Sequence, residues 1–298
     1  MTDTLTAAIR TALPELPLRE EEPLRKYTSF HIGGPAKRLL LPRSAEELIA
    51  LCRLLRQLGE KPLILGRGSN VLAPDEGIDG TVVVTAQAQA MRLQGDVLEA
   101  ECGALLGRLA AFAAEGNLAG LSFACGIPGT LGGALVMNAG AYGGEMAQVT
   151  EETEFLDENL NLCSFRGEEH GFSYRRSGFP AGSVILRARL KLAPGDGEAL
   201  RSEMRSLLEK RSASQPLHLP SAGSAFKRPQ GAFAAALIDQ AGLKGLSVGG
   251  AQVSEKHAGF IVNTGDATAE DVKALLALVQ EQVCRHSGYR LEPEIRIL

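Results

Sequence analysis

The sequence predicts a multidomain protein of mixed helices and strands, either α/β or α+β, on three observations. Short apolar strands and an amphipathic helix are interleaved near the amino terminus. The chain has 298 residues, a length at which single cores usually divide into domains. Hydrophobic residues make up 45% and charged residues 22%, which is typical of a globular protein.

The amino-terminal elements follow from capping and breaking signals. Ser44 and Glu47 have the spacing of a capping box, and Gly59 follows the apolar run that they open, so we expect a helix between them. Apolar runs at residues 62–65 and 82–84 predict short strands. Helix and strand therefore alternate in this region.

The second half of the chain predicts a longer strand, a joint and a last domain. The expected elements are a strand at 183–190, a helix at 198–211, a Pro- and Ser-rich joint at 215–224, a helix at 232–240, a strand at 259–263 and a helix capped by Thr268 with Asp271 and ended by Gly288. Residues 291–298 predict a closing strand with Leu291, Ile295 and Ile297 on one face.

Charge and cysteine usage exclude several classes of protein. The formal net charge of −4, without a cluster of Lys and Arg, argues against binding nucleic acid through bulk charge. The five cysteines are scattered, with no CxxC pair and no metal-type spacing, so we expect no metal site. There is no apolar run near 18 residues and no leader pattern, so we expect a soluble cytoplasmic protein that does not bind a membrane.

A glycine-rich turn at residues 66–70 follows the strand at 62–65. Such a turn presents successive backbone N–H groups, a geometry that binds a diphosphate. It lacks the Lys-Ser/Thr ending of a nucleotide-triphosphate loop and the spacing of a GxGxxG motif. On its own, the pattern favours a purely structural turn.

A second glycine-rich segment changes that balance. Residues 120–144 hold eight glycines among 25 residues, interleaved with large apolar side chains, whereas a linker would be polar. Glycine-rich segments leave the backbone uncovered by side chains, and two such segments in one chain suit a large phosphate-bearing ligand such as a dinucleotide. The alternative is a tightly packed glycine crossover that binds nothing.

Other polar residues have both a functional and an ordinary interpretation. The arginines at 175 and 176 beside Tyr174 are typical of a solvated strand edge, but a guanidinium there could also hold a substrate carboxylate. Ser224 could be part of a turn or could donate a proton, and no His or Asp nearby suggests a hydrolase triad. Glu294 and His257 would by default lie at the surface.

Taken in series, these segments closely resemble the UDP-N-acetylenolpyruvoylglucosamine reductase family, flavoenzymes of peptidoglycan precursor synthesis. The matching motifs lie at residues 27–34, 66–72, 126–129, 137–143, 174–177, 223–227, 249–251 and 293–296, in the order of the family. The short spacing between Tyr142 and Tyr174, and the motif around His257, resemble the shorter subclass without an extra substrate-covering loop.

The resemblance implies an α+β fold of three domains. Residues 1–88 and 89–205 would form the two subdomains of a vanillyl-alcohol-oxidase-type FAD-binding fold, and residues 206–298 an α+β substrate-binding domain. It further implies a monomer that binds FAD, uses NADPH as co-substrate and acts on a UDP-sugar.

The same resemblance assigns roles by motif. The implied catalytic residues are Arg175, Ser224 as proton donor, and Glu294. The implied substrate contacts are Tyr174, Lys227, Lys244 and His257, whereas Arg228 stands where some members carry Asn. The implied FAD contacts are Gly66, Arg67, Gly68, Ser69, Asn70, Val71, Leu72, Gly126, Ile127, Pro128, Gly129, Thr130, Gly132, Gly133, Ala134, Asn138, Gly140 and Ala141.

Two alternative functions stay open at this point. Another flavin oxidase or dehydrogenase on the same scaffold, acting on an alcohol or sugar, would explain the glycine segments but not the set of Arg175, Ser224 and Glu294. A sugar-nucleotide binder without activity would retain the fold but would have no need for these three residues. Turnover of the flavin separates the enzymes from the binder, and the choice of substrate separates the two enzymes.

Overall fold

The computed structural model describes residues 3–298, which fall into two compact units. Unit 1 comprises residues up to Glu20 together with Arg38–Arg67 and Gly80–Lys210. Unit 2 comprises Glu21–Lys37, Gly68–Asp79 and Arg211–Leu298. The division into three domains after residues 88 and 205 stays a prediction.

Helices and strands are interleaved near the amino terminus, as the sequence predicts, and longer runs of successive strands follow. The helices are α1 (Thr4–Ala12), α2 (Ala45–Gln57), α3 (Leu106–Glu115), α4 (Leu131–Val136), α5 (Gly197–Ser214), α6 (Ala234–Gln240) and α7 (Ala269–Ser287). The strands are β1 (Leu18–Pro23), β2 (Pro35–Leu40), β3 (Leu63–Leu65), β4 (Val71–Leu72), β5 (Ile78–Val84), β6 (Met91–Gln94), β7 (Val97–Glu101), β8 (Leu118–Ala119), β9 (Gly140–Ala141), β10 (Gly144–Glu145), β11 (Thr150–Leu156), β12 (Leu162–Arg166), β13 (Val184–Lys191), β14 (Ala193–Pro194), β15 (Ser221–Ser224), β16 (Ser247–Val248), β17 (Ala251–Val253), β18 (Phe260–Asn263) and β19 (Arg296–Ile297).

The larger sheets are mostly antiparallel. A four-stranded sheet has the order β1-β2-β5-β3, in which β3 and β5 run parallel. Unit 1 contains an antiparallel sheet with the order β12-β11-β13-β7-β6, and unit 2 contains one with the order β15-β18-β17-β16. No helix of residues 3–298 is both long enough and apolar enough to cross a membrane.

Helix α7 covers the sheet of unit 2 because its apolar residues recur at helical spacing. Val272, Leu275, Leu276, Val279 and Val283 are all buried in one cluster with the strands. The predicted cap is confirmed, since the Thr268 Oγ1 accepts the Asp271 N–H at 3.0 Å and the Asp271 carboxylate accepts the Thr268 N–H at 3.0 Å. Gly288 ends the helix with φ +75°, also as predicted.

The predicted capping box of α2 forms only in part. Ser44 Oγ accepts the Glu47 N–H at 3.1 Å, as expected of an N-cap. The carboxylate of Glu47, however, accepts the backbone N–H of Arg43 at 2.8 Å, one residue before the predicted partner. The same carboxylate forms an ion pair with the guanidinium of Arg43. Ser44 is uncharged and offers no such pair, so the carboxylate binds Arg43 and not the Ser44 backbone.

The prediction for the closing strand was wrong in its length. Only Arg296–Ile297 form a strand, which pairs in parallel with β4. Leu291 and Ile295 are buried, but Ile297 is 54% exposed. Side chains on one face of a strand are all buried only if other elements cover the whole length of that face. Here the hydrophobic core ends at Ile295.

Candidate active site

The two glycine-rich segments meet in unit 1. Strand β3 ends at Leu65, and a Cβ added to Gly66 would lie only 2.3 Å from Thr130 Oγ1, at the start of α4. Only a residue without a side chain allows this approach. Gly66, at the start of the first glycine-rich turn, therefore lies against the second glycine-rich segment within unit 1.

Thr130 has an unusual hydroxyl at this contact. The residue is 1% exposed, and within the described part of the chain its Oγ1 has no hydrogen-bond partner and caps no backbone group of α4. A buried polar group without a partner is costly and rare in folded proteins. A hydroxyl donor beside bare backbone fits a polar oxygen of a cofactor such as FAD, so the residues present fit the group that the sequence implies.

We expect Thr130→Val to weaken FAD binding and to leave the apoprotein intact. The substitution keeps the shape of the side chain and removes a hydroxyl with no protein partner, so the free energy of unfolding should not fall. A lost hydrogen bond to a charged oxygen, worth about 1.5–3 kcal/mol, should lower the affinity for FAD by about 10- to 100-fold. Titration of the apoprotein with FAD, followed by flavin fluorescence, measures this change.

Thr150→Val is the matched control for that experiment. Thr150 is also buried, but its Oγ1 donates to Met146 O at 2.7 Å. Its replacement should lower the thermal stability, because a hydrogen bond to a carbonyl that also accepts the Val149 N–H is lost, and should leave the affinity for FAD unchanged. Equal affinities for FAD in wild type and Thr130→Val would remove Thr130 from the cofactor site.

Arg175 lies at the tip of a tight turn in unit 1. The backbones of Ser173 and Arg176 exchange hydrogen bonds of 3.0 and 3.1 Å, and Arg175 between them has φ +56°. This left-handed conformation is uncommon outside glycine and occurs often at functional sites. Arg175 Nη2 donates to Gly140 O at 3.3 Å, and the guanidinium lies 5.0 Å from the centroid of the Tyr174 ring.

Asn138 joins this turn to the glycine-rich segment. Its side chain is fully buried, its Oδ1 accepts the Ala147 N–H at 2.9 Å and its Nδ2 donates to Ser173 O at 3.2 Å. Ser177 Oγ adds a bond of 2.8 Å to Val136 O. The predicted catalytic arginine and the predicted cofactor segment thus form one hydrogen-bonded group.

The second half of the turn at 66–70 belongs to unit 2. Gly68 has φ +61°, and a Cβ there would lie 2.2 Å from Tyr27 O. Gly68 O in turn accepts the Ser29 N–H at 3.1 Å. The motif at residues 27–34 therefore contacts the glycine turn at Gly68 and hydrogen-bonds its backbone.

Ser224 and Glu294 are neighbours in unit 2. Ser224 ends β15 with an exposed side chain, directly after Gly223 at φ +77°. The Glu294 N–H donates to the carbonyl oxygen of Ala225 at 2.9 Å. Ala225 follows Ser224 directly, so this bond brings the backbones of the two predicted catalytic residues close together. Asn70 Nδ2 donates to Glu294 O at 3.2 Å, which ties the glycine turn to the same place.

The predicted substrate-binding cations of unit 2 each have an acidic partner. Lys227 forms an ion pair with Glu292, and Lys244 Nζ lies 2.8 Å from Asp239 Oδ2. Both pairs are at the surface, where they contribute little to stability.

His257 lies near one of these cations. Burial lowers the pKa of its imidazole, and the charge of Lys244 lowers that pKa further. His257 Nδ1 accepts the Gly259 N–H at 3.1 Å, so the uncharged ring carries its proton on Nε2 and can donate from there.

The predicted residues divide between the two units. Unit 1 holds Gly66, Arg67, Gly126, Ile127, Pro128, Gly129, Thr130, Gly132, Gly133, Ala134, Asn138, Gly140, Ala141, Tyr174 and Arg175. Unit 2 holds Gly68, Ser69, Asn70, Val71, Leu72, Ser224, Lys227, Lys244, His257 and Glu294. Leu72 is 1% exposed, so its side chain belongs to the core of unit 2.

Sequence reasoning missed His170, which is fully buried below the turn that carries Arg175. A lone histidine without periodic neighbours has no signal in one sequence. Its aromatic neighbours, Phe165, Phe172 and Phe179, are irregularly spaced and become a cluster only in the folded chain.

Comparison with known proteins agrees with this geometry. A family model described as FAD binding domain matches residues 36–159, and one described as UDP-N-acetylenolpyruvoylglucosamine reductase, C-terminal domain, matches residues 215–298. The UDP-N-acetylenolpyruvoylglucosamine reductase of Caldanaerobacter subterraneus subsp. tengcongensis is 46% identical over 100% of this chain and 99% of its own. A relative with the same name from Streptococcus pyogenes is 43% identical over 97% of this chain and 98% of the relative.

Solved structures give the same result. The crystal structure of UDP-N-acetylenolpyruvylglucosamine reductase from Thermus caldophilus has a TM-score of 0.81 and 37% identity, covering 95% of this chain and 98% of that one. An alkyldihydroxyacetonephosphate synthase has a TM-score of 0.50 at 15% identity, covering 65% of this chain and 41% of that one, a likeness of fold alone.

The fold and these matches define an FAD-dependent oxidoreductase with mixed helices and strands, and they confirm the predicted class of fold and the predicted cofactor. The chain belongs to the UDP-N-acetylenolpyruvoylglucosamine reductase family.

Proposed function

We propose that the chain reduces UDP-N-acetylglucosamine enolpyruvate to UDP-N-acetylmuramate in peptidoglycan precursor synthesis, with NADPH as the reductant. The observation that carries this proposal is the 46% identity to a reductase of that name over the whole chain. The residues with the implied chemistry, Arg175, Ser224 and Glu294, are all present in the matching motifs.

The reaction adds a hydride and a proton across the vinyl group of an enolpyruvyl ether. FAD, when bound and reduced by NADPH, supplies the hydride to the terminal carbon. The electrons of the double bond then move toward the carboxylate, which acquires enolate character. The protein must stabilise this charge and deliver one proton to the neighbouring carbon.

Arg175 is the residue that we assign to the developing charge. A guanidinium fork matches the two oxygens of a carboxylate and forms parallel hydrogen bonds with it. The bond of Arg175 to Gly140 O and the stacking on Tyr174 orient the fork before substrate arrives. Such preorganised donors are commonly worth about 3 kcal/mol of transition-state stabilisation.

Ser224 is assigned to proton delivery and Glu294 to its support. A serine hydroxyl is a weak acid, but an enolate carbon is a strong base, so placement decides the rate more than the pKa of the group. The Ser224 side chain is exposed and ends a strand, and the backbone contact at Ala225 holds Glu294 next to it. Tyr174, Lys227, Lys244 and His257 are assigned to the UDP-sugar.

The visible absorbance spectrum of the purified protein tests the proposal. Under anaerobic conditions, NADPH should bleach the flavin, and UDP-N-acetylglucosamine enolpyruvate should restore the colour. Bleaching without recovery on this substrate would assign the chain to another flavin oxidase or dehydrogenase. A flavin that binds but is neither reduced nor reoxidised would indicate a binder without activity.

A further inference from the structure

The loop at residues 171–178 is the element that carries Tyr174 and Arg175, and its two ends converge. The Gly178 N–H donates to His170 O at 2.7 Å, which closes the loop at its neck. Phe172 is the second residue of the loop and Phe179 follows it directly. The imidazole of His170 contacts both rings.

The ring of His170 contacts both ends of the loop and the sheet below. It stacks on Phe172 with a centroid distance of 4.9 Å and an interplanar angle of 7°, and it meets Phe179 edge-on at 5.9 Å. It also lies 6.1 Å from Phe165 on β12. The side chain is fully buried, so these contacts are made without solvent.

Both ring nitrogens of His170 are hydrogen-bonded, and the partners determine the tautomer. Nδ1 lies 2.9 Å from Gly167 O, which can only accept, so Nδ1 carries the proton. Nε2 lies 2.9 Å from Thr153 Oγ1 on β11 and accepts from that hydroxyl when the ring is uncharged. The uncharged ring therefore satisfies both of these partners with its two nitrogens.

We propose that His170 is a positioning residue for Arg175: its uncharged ring joins both ends of the loop at 171–178 to strands β11 and β12 and so maintains the strained backbone of the turn. A left-handed arginine persists only where the surrounding structure holds it. Asn138 and Gly140 hold the tip of the loop, and His170 holds its neck. The inference rests on the proposed role of Arg175 in the reaction.

Protonation should weaken this support. Burial lowers the pKa of His170 below the ordinary value of 6.5, and the hydrogen bond to Gly167 O and the carboxylate of Glu169 oppose this effect only in part. The adjacent strand β11 carries three further carboxylates, Glu151, Glu152 and Glu154. Glu152 and Glu154 flank Thr153 on the opposite face of β11, and all three carboxylates pair with arginines of β12 or β13. Below the lowered pKa, the buried ring carries a charge without solvent and Nε2 can no longer accept the Thr153 hydroxyl, so the neck of the loop should loosen.

Two variants test the inference, with a third as control. His170→Phe keeps a ring but removes both hydrogen bonds, and His170→Gln keeps a polar side chain that does not titrate. We expect His170→Phe to bind FAD and to be reduced by NADPH normally, and to react with the enolpyruvyl sugar about tenfold or more slowly, because small misplacements of a catalytic group have such effects. His286→Gln, on the exposed last turn of α7, should behave as wild type.

The pH profile separates positioning from a merely structural role. For wild type, the rate of flavin reoxidation by the enolpyruvyl sugar should decline on the acid side with a midpoint below pH 6.5, and in His170→Gln that decline should disappear. A normal reoxidation rate in His170→Phe, or an unchanged acid decline in His170→Gln, would overturn the inference.

A stability measurement makes the test independent of the proposed function. Because the folded pKa is lowered, the unfolded chain binds more protons below pH 6.5, so the wild type should lose thermal stability more steeply than His170→Gln as the pH falls. Parallel losses in the two proteins would overturn the requirement for an uncharged ring. If the unaltered protein ignores the enolpyruvyl sugar, the proposed function fails, and this measurement still decides the state of His170.

Discussion

Replacing Arg175 with lysine should slow reoxidation of the flavin by the enolpyruvyl sugar by about 10²- to 10³-fold, the usual effect of removing one oriented donor. A lysine ammonium is a point charge and cannot form the two parallel hydrogen bonds of a guanidinium. Neither lysine nor arginine has an advantage at φ +56°, so the substitution changes the head group and leaves the backbone strain the same. Stopped-flow absorbance measures the oxidative half-reaction directly.

The reductive half-reaction and a neighbouring residue provide the controls. Reduction by NADPH should be nearly unchanged in Arg175→Lys, because no charge develops on a substrate carboxylate in that step. Arg176→Lys lies one residue away in the same turn with an exposed side chain, and it should react at the wild-type rate. Normal turnover of Arg175→Lys would make Arg175 a structural residue of the turn.

Ser224→Ala should slow the same half-reaction by about 10²- to 10⁴-fold, the range that general acids supply. The side chain of Ser224 is exposed at the end of β15, so its removal leaves no buried group without a partner. We therefore expect the FAD content, the thermal stability and the rate of reduction by NADPH to match the wild type.

Ser221→Ala, at the start of the same strand, is the matched control for Ser224. Its backbone bonds to Ser29 do not involve its side chain, so the strand should form as before. It should leave both half-reactions unchanged. Equal slowing of reduction and reoxidation in Ser224→Ala would show that the residue maintains the site as a whole and does not deliver the proton.

Many elements of the fold could be predicted because their signals are local. Thr268, Asp271 and Gly288 bound α7 through contacts within a few residues of each other, and the sequence shows all three. The strand expected at 183–190 is observed at Val184–Lys191, since alternating burial is a property of the segment itself. The site residues were named through resemblance to a family, and their roles remain predictions.

The tertiary structure decided the contacts between distant parts of the chain. The approach of Gly66 to Thr130, the pairing beside Ser224 and Glu294, and the place of His170 below the loop of Arg175 depend on the path of the backbone. The exposure of Ile297 has the same origin, because a strand is buried only as far as a second layer covers it.

The sequence by itself determined the mixed class of fold, the ends of α7 and the segments that need glycine, because these depend on each residue and its near neighbours. Only the folded chain determined which of those segments meet. Asp75 illustrates the difference, since its carboxylate accepts the Ala269 N–H at 2.8 Å and caps α7 from a distant part of the chain. Hydrogen bonds of this kind form between groups that folding brings together, and no local pattern contains them.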